Sequence, residues 1–306
     1  MRLTLMHNPK AGERQPSKRE LLALLRSAGY DDVVSRSTKN KGWKTAVEAP
    51  SDLVVVAGGD GTVAKVARRL AGRGVPMAVL PLGTANNIAR SLGVSGSPRQ
   101  LIARWRTAAL KPVDLGVVSG QWGTKYFLEA FGVGLFSRML ARARGTKRRR
   151  RVERVGPLEL TRRHTKVMLH ELQAIRPMRL LVRVDGRESS GDYMMLEVMN
   201  ARSIGLNLEL APDADMSDGL LDVIAIRAGE EDRLAEHLQR RIGGRPALIP
   251  VERARCVEIV GTDVEAHLDD KVLEPASGEG DEERSPEAGG RRIEVSVQAG
   301  AVQVLV

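Results

Sequence analysis

Val54-Val55-Val56-Ala57-Gly58-Gly59-Asp60-Gly61-Thr62 is a continuous β-branched run that ends in a glycine-rich turn. An unbroken apolar run, as opposed to an alternating one, marks a strand covered on both faces. The segments around it alternate in kind. Leu3–Met6 is a short apolar run closed by Asn8-Pro9, and Ser17–Ala28 carries Leu21, Leu22, Leu24 and Leu25 at helical spacing before Gly29. Thr62–Ala71 reads as an amphipathic helix, Met77–Leu80 as a strand, Ala85–Leu92 as a helix and Val113–Val118 as a closing strand. Strand–helix alternation predicts an α/β domain over residues 1–117 with a mostly parallel, doubly wound sheet.

From residue 118 the pattern becomes β-rich. Arg179–Val184 alternates, turns at Asp185-Gly186 and returns through Tyr193–Met199. Leu221–Ile226, Cys256–Val260, Val264–Leu268, Ile293–Val297 and Val302–Val306 read as further strands, with helical patterns only near 157–175 and 231–242. Residues 118–306 are therefore expected to form a β-sandwich-like substrate-side domain, interrupted by a polar loop at 275–291. No internal repeat is present.

The glycines of the first turn let a backbone approach a ligand closely, and amides at a helix start attract anions. A carboxylate at Asp60 would repel a bare phosphate; it makes sense beside Mg²⁺ or an attacking hydroxyl, or simply as a cap residue. Leu82-Gly83-Thr84-Ala85-Asn86-Asn87 is a second turn of the same kind, with Thr84 as an N-cap or a phosphate donor. His7-Asn8-Pro9-Lys10-Ala11-Gly12 ends a third strand and holds a lysine able to pair with phosphate. Neither a Walker loop nor a dinucleotide fingerprint occurs. Three polar turns at three strand ends point to a nucleotide site.

These segments, with Val113-Asp114-Leu115-Gly116, Asn200, Gly205 and Ala211-Pro212-Asp213-Ala214-Asp215-Met216-Ser217-Asp218-Gly219-Leu220-Leu221-Asp222, stand in the order seen in the diacylglycerol kinase catalytic family. The chain resembles that family over nearly its whole length. NAD kinases share the Gly-Gly-Asp-Gly turn, but Gly83-Thr84-Ala85-Asn86 is similar to the diacylglycerol and sphingosine kinase branch. The resemblance implies ATP-dependent phosphorylation of a lipid hydroxyl with Mg²⁺, in a cleft between an α/β domain and a β-sandwich. It places ATP on Asn8, Pro9, Lys10, Ala11, Gly12, Gly58, Gly59, Asp60, Gly61, Thr62 and Thr84. It puts Asp60 and Asp114 in an acidic network around the catalytic Mg²⁺, and a structural Mg²⁺ on Asp218 with the carbonyls of Asp215 and Leu220.

Two positions depart from the family pattern. Asn87 stands where an Asp is usual. In His267-Leu268-Asp269-Asp270-Lys271, read as a strand, Lys271 holds the place of a Glu that is the candidate general base. A lysine near its ordinary pKa of about 10.4 is protonated at neutral pH and cannot accept a proton. Three readings stay open: Asp60 alone suffices, Asp270 reaches in, or the chain is a regulatory member that binds nucleotide without transfer.

The formal net charge of +10 is concentrated: residues 135–185 hold 15 Lys and Arg against 4 Asp and Glu, densest over 138–154. Such a segment attracts an anionic partner, and with only three each of Trp, Tyr and Phe the chain has little for stacking bases. An anionic membrane surface is thus the expected transient partner, nucleic acid is disfavoured, and a homo-oligomer stays open. No apolar run reaches about 18 residues, no secretory pattern opens the chain, and the lone Cys256 fits a reducing compartment, so a cytoplasmic protein with peripheral membrane contact is expected. His7, His164, His170, His237 and His267 lack metal-ligand spacing and read as surface or packing residues. Glu129 reads equally as an acceptor-pocket residue or as a solvated or hinge residue, and Met194, Met195 and Met199 as core.

Overall fold

The computed structural model describes residues 1–9, 16–146, 157–205, 207–242, 249–262, 264–274 and 290–306. Lys10, Ala11 and Gly12, residues 147–154 of the basic segment and 275–289 of the polar loop lie outside the described residues. The chain divides into two units. The first comprises Met1–Leu115, Asp215–Gly219 and Gln298–Val306; the second comprises Gly116–Ala214 and Leu220–Val297. Sequence placed 215–219 and 298–306 with the β-rich domain; they cluster with the first unit instead, because the chain returns to it twice after leaving.

In the first unit the elements run β1 (Leu3–His7), α1 (Lys18–Ser27), β2 (Val33–Ser37), α2 (Trp43–Glu48), β3 (Leu53–Gly58), α3 (Asp60–Leu70), β4 (Met77–Pro81), α4 (Asn87–Ser91), α5 (Pro98–Arg104) and β5 (Leu110–Ser119), whose last residues pass into the second unit. Strands β2, β1, β3 and β4 lie side by side and all pair in parallel. Every residue of β1 and β3 is buried, as their unbroken apolar runs require. The chain's last residues add to this sheet, with Val304 opposite Met77 and Leu305 opposite Ala78 in parallel. Capping boxes start two helices, Ser17 with Glu20 on α1 and Ser97 with Gln100 on α5.

Some boundaries differ from expectation. Helix α3 begins at Asp60, two residues before the expected start. The helix expected over 85–92 is only Asn87–Ser91, because Asn86 sits in the left-handed region (φ 51°) and interrupts the turn. Thr84 is therefore exposed in the loop and caps nothing. Strand β2 and helices α2 and α5 had no strong periodic signal.

The second unit contains β6 (Lys125–Phe127), β7 (Ala130–Gly134), α6 (Leu135–Thr146), α7 (Pro157–Ala174), β8 (Met178–Val184), β9 (Arg187–Glu188), β10 (Gly191–Met199), β11 (Ser203–Ile204), β12 (Leu208–Glu209), β13 (Leu221–Arg227), α8 (Glu231–Ile242), β14 (Glu252–Ala254), β15 (Cys256–Gly261), β16 (Ala266–Leu268), β17 (Lys271–Leu273) and β18 (Arg291–Leu305), which ends in the first unit. Antiparallel pairing joins β16, β7, β10 and β13, and a second set joins β8, β15 and β18. Phe131, Val133, Leu196 and Val198 of the first set pack with Val182, Val257, Ile259 and Val295 of the second in one core, the sandwich interior. The opposite face of β10 carries Met195 and Met199 into a second core, which Met139 of α6, Met168 and Leu172 of α7 and Leu234 of α8 cover. Two expected strands, 293–297 and 302–306, are one fifteen-residue strand, β18. The expected strand 267–271 is instead a hairpin, β16 and β17 joined through Asp269-Asp270.

Candidate active site

Strands β1, β3 and β4 are neighbours and parallel, so their C-terminal ends deliver three turns to one edge of the first unit. Ligands of open parallel sheets bind at that edge. Direct contacts join the turns. The Asn8 amide donates to Thr62 Oγ1 at 3.2 Å, linking the end of β1 to the first turn of α3. The Leu82 amide donates to the Gly58 carbonyl at 2.9 Å, and a Cβ built on Gly83 would stand 2.5 Å from the Gly59 Cα. Only glycine at both positions lets the two loops touch.

Asp60 completes the junction. Its Oδ1 accepts from the Ile88 N–H at 3.0 Å, so a side chain from the first turn of α3 holds the start of α4. Burial raises its pKa, against backbone hydrogen bonds from Ile88, Asn87, Asp60 itself and Asn86 that favour the charged form. Sequence reasoning missed Asn86. Its Oδ1 accepts from Gly83 N at 2.8 Å and its amide donates to Gly83 O at 2.9 Å, which staples the second loop. The signal was legible in principle, since Asn is the side chain that best tolerates a left-handed backbone. Asn87 is 1% exposed and accepts from the Arg90 guanidinium at 2.9 Å.

Asp114 stands apart in its bonding. It is 1% exposed, and its two oxygens accept from the Gly219 and Gly300 amides at 2.7 Å each, while its own N–H donates to the Met216 carbonyl at 2.7 Å. Burial raises its pKa; the Gly300 and Gly219 bonds oppose this, and the charges of Asp218 and Asp215 add to it. Asp114 thus anchors the 215–219 loop. Lys111 Nζ lies 2.9 Å from Asp215 Oδ1, and this contact, with hydrogen bonds from Ser217, lowers the Asp215 pKa. The loop's carboxylate, hydroxyl and carbonyl oxygens are the donors that suit a hard cation such as Mg²⁺. Among the described residues no three His, Cys, Asp or Glu side chains converge as a metal site, so a cation here would rely on main-chain oxygens. Leu220 opens the next segment of the second unit.

In the second unit the hairpin turn is tightly built. Asp269 adopts φ 51°, and its Oδ1 accepts from the N–H groups of Leu128, Glu129 and Ala130 at 3.1, 2.8 and 3.3 Å. Asp270 and Lys271 on the same turn are exposed. Glu129 is 2% exposed, and its carbonyl accepts from Asn200 and Ala201. His267, read from sequence as a surface or packing residue, is fully buried, with its Nε2 2.8 Å from Glu197 Oε2. Burial alone would lower its pKa; the charge and hydrogen bond of Glu197 and the Asp269 carbonyl outweigh this and raise it. Cys256 is half-buried in β15, where burial and the Glu294 and Glu258 carboxylates raise its pKa.

Residues 2–118 match the diacylglycerol kinase catalytic domain, and residues 144–306 match the YegS C-terminal NAD kinase beta sandwich-like domain. The chain belongs to the diacylglycerol kinase catalytic family. It is 28% identical over 239 residues to a diacylglycerol kinase of Bacillus subtilis (strain 168), covering 74% of each chain. It is 31% identical over 233 residues to a Klebsiella pneumoniae (strain 342) protein named a probable lipid kinase, YegS-like, covering 72% of each. The fold is similar to that of a diacylglycerol kinase from Bacillus anthracis str. Sterne, with a TM-score of 0.69 at 20% identity over 99% of this chain and 96% of that one. Yeast NADH kinase has the same general fold at a TM-score of 0.54 and 9% identity, over 99% of this chain and 82% of the other. Lipid kinases of this family are phosphotransferases with an alcohol acceptor.

Proposed function

We propose that this member of the diacylglycerol kinase family transfers the γ-phosphoryl group of Mg²⁺-bound ATP to a hydroxyl of a diacylglycerol-like or sphingoid-like lipid. The observation that carries this reading is the junction of the Gly58–Thr62 and Leu82–Ile88 turns through Gly59, Gly83 and Asp60. Backbone amides at the start of α3, with Thr62 and Asn8 beside them, would receive the phosphates, and Lys10 to Gly12 and Thr84 would add to that cradle. The lipid oxygen attacks the γ-phosphorus, the bond to the β-phosphate oxygen breaks, ADP leaves, and Asp60 takes the hydroxyl proton. Positioning and charge neutralisation do most of the work of phosphoryl transfer, and proton removal by Asp60 adds to it.

Asp114 would act by holding the 215–219 loop. A structural Mg²⁺ would sit on Asp218 with the carbonyl oxygen of Asp215, offsetting that loop's negative charge. Asp270, exposed beside Lys271, is the remaining acid that could approach the acceptor. The basic segment 138–154 would bring the protein to an anionic membrane surface where its substrate resides.

A second reading, a nucleotide-binding regulatory member with lost transfer, draws on Asn87 and on Lys271. The two are separated by incubating the protein with γ-labelled ATP, Mg²⁺ and a panel of short-chain diacylglycerol, phosphatidylglycerol and sphingosine. Label in the lipid phase is expected. Tight ATP binding with no labelled lipid, in wild type and in Lys271→Glu alike, would select the regulatory reading.

A further inference from the structure

Glu197, Gly132 and His267 lie directly opposite one another across β10, β7 and β16. Because Gly132 has no side chain, the flanking residues reach over it and meet; a Cβ there would overlap the Glu197 carboxylate. Both side chains are fully buried, and the Phe136 ring packs edge-on against the imidazole at 4.8 Å. The other imidazole nitrogen, Nδ1, is 2.9 Å from the Asp269 carbonyl oxygen. A carbonyl can only accept, so Nδ1 carries a proton and donates it. Nε2 and Glu197 then share one further proton, either on the imidazolium or on the carboxylic acid.

A buried ion pair is costly, and well-packed apolar residues of similar size usually stabilise as much or more. Here the pair does one thing an apolar pair cannot: it hydrogen-bonds the main chain of the β16–β17 turn at Asp269. The same residue is held from the other side by the amides of Leu128, Glu129 and Ala130, and its own N–H donates to the Ala130 carbonyl at 2.8 Å. The turn so fixed carries Asp270 and Lys271 into solvent.

We propose that Glu197 and His267 form a positioning dyad that fixes the Asp269–Lys271 turn for handling of the lipid acceptor, acting through the Asp269 carbonyl. The proposal rests on the reading of this chain as a lipid kinase whose second unit serves the acceptor. Neither residue touches substrate. Glu197 orients the imidazole, the imidazole orients the turn, and the turn presents Asp270 and Lys271.

Two variants separate positioning from folding. Glu197→Gln keeps the shape, and its amide N–H can still donate to Nε2 while Nδ1–H donates to Asp269. The double variant Glu197→Met with His267→Phe fills the space with apolar groups and leaves the Asp269 carbonyl without its donor. Each is assayed with γ-labelled ATP and the same lipid panel in mixed micelles, and amide hydrogen exchange is followed over residues 268–271. The double variant is expected to remain folded with a cooperative thermal transition, yet exchange faster at the turn and lose at least about tenfold in kcat with the KM for ATP unchanged. Glu197→Gln is expected to retain turn protection and most of the kcat. Equal turn protection in the double variant and wild type would overturn the dyad's hold on the turn. Faster exchange with unchanged kcat and acceptor KM would overturn its part in acceptor handling. Absence of transfer by wild type would instead overturn the lipid-kinase reading, and the exchange data would still decide whether the dyad holds the turn.

Discussion

Asp60 holds the central place among single residues because it belongs to one turn and binds the next. Asp60→Ala removes both the carboxylate and the link to Ile88. Asp60→Asn keeps an oxygen acceptor for that amide and isolates the chemistry. We expect Asp60→Asn to lower transfer by about a hundredfold or more with only a small change in melting temperature, as initial rates and thermal scans would show. His267 gives a prediction of opposite character. Its folded pKa is raised above the ordinary value near 6.5. The pair's stabilisation is therefore full below about pH 6.5 and is lost as pH rises through the folded pKa. Urea midpoints measured from mildly acid to alkaline pH should fall across that window, and Glu197→Gln should flatten the fall. A wild-type profile with no fall would refute it.

At the scale of elements, the meeting of two loops depends on glycine. A methyl at Gly83 would sit 2.5 Å from the Gly59 Cα, a backbone atom that cannot swing aside. Gly83→Ala should cost about 1–3 kcal/mol and weaken ATP binding together, measured by denaturant unfolding and nucleotide titration. Unaltered ATP affinity would separate the loop contact from the nucleotide site. The strands that create these loops were legible in the sequence because a run such as Leu53–Ala57 has no polar residue to place in water. Helix α4 was overextended, since Thr84 looks like a cap and Asn86 gives only a weak local hint of its left-handed backbone. The hairpin at Asp269-Asp270 was illegible for a different reason. No glycine marks it, and its positive φ is sustained by amides about 140 residues away in sequence. The Glu197–His267 pair, 70 residues apart, was hidden in the same way: only the register of three strands brings it together.

For the whole molecule, the basic segment looks different once its described residues are considered. Arg138 and Arg142 of α6 both pair with the nearly buried Glu171 of α7, so part of the sequence charge is spent inside the second unit. Among the described residues no helix is long and apolar enough to cross a membrane. The membrane reading therefore rests on the remaining cations, above all Arg148–Arg151. Replacing these four by Ser should reduce sedimentation with anionic vesicles and leave binding to neutral vesicles unchanged; insensitivity to both lipid charge and substitution would refute it.

On the proposed reading the first unit's turns hold the nucleotide and the Asp269–Lys271 turn serves the acceptor, where Lys271 stands in place of the Glu that the resemblance to the family leads one to expect. Whether chemistry survives that departure turns on Asp60, and one comparison addresses it most directly: the initial rate of γ-phosphoryl transfer to the lipid panel by wild type and by Asp60→Asn, at equal ATP occupancy. The account predicts measurable transfer by wild type and a rate lower by about a hundredfold or more in the variant. Equal rates in the two proteins would contradict it.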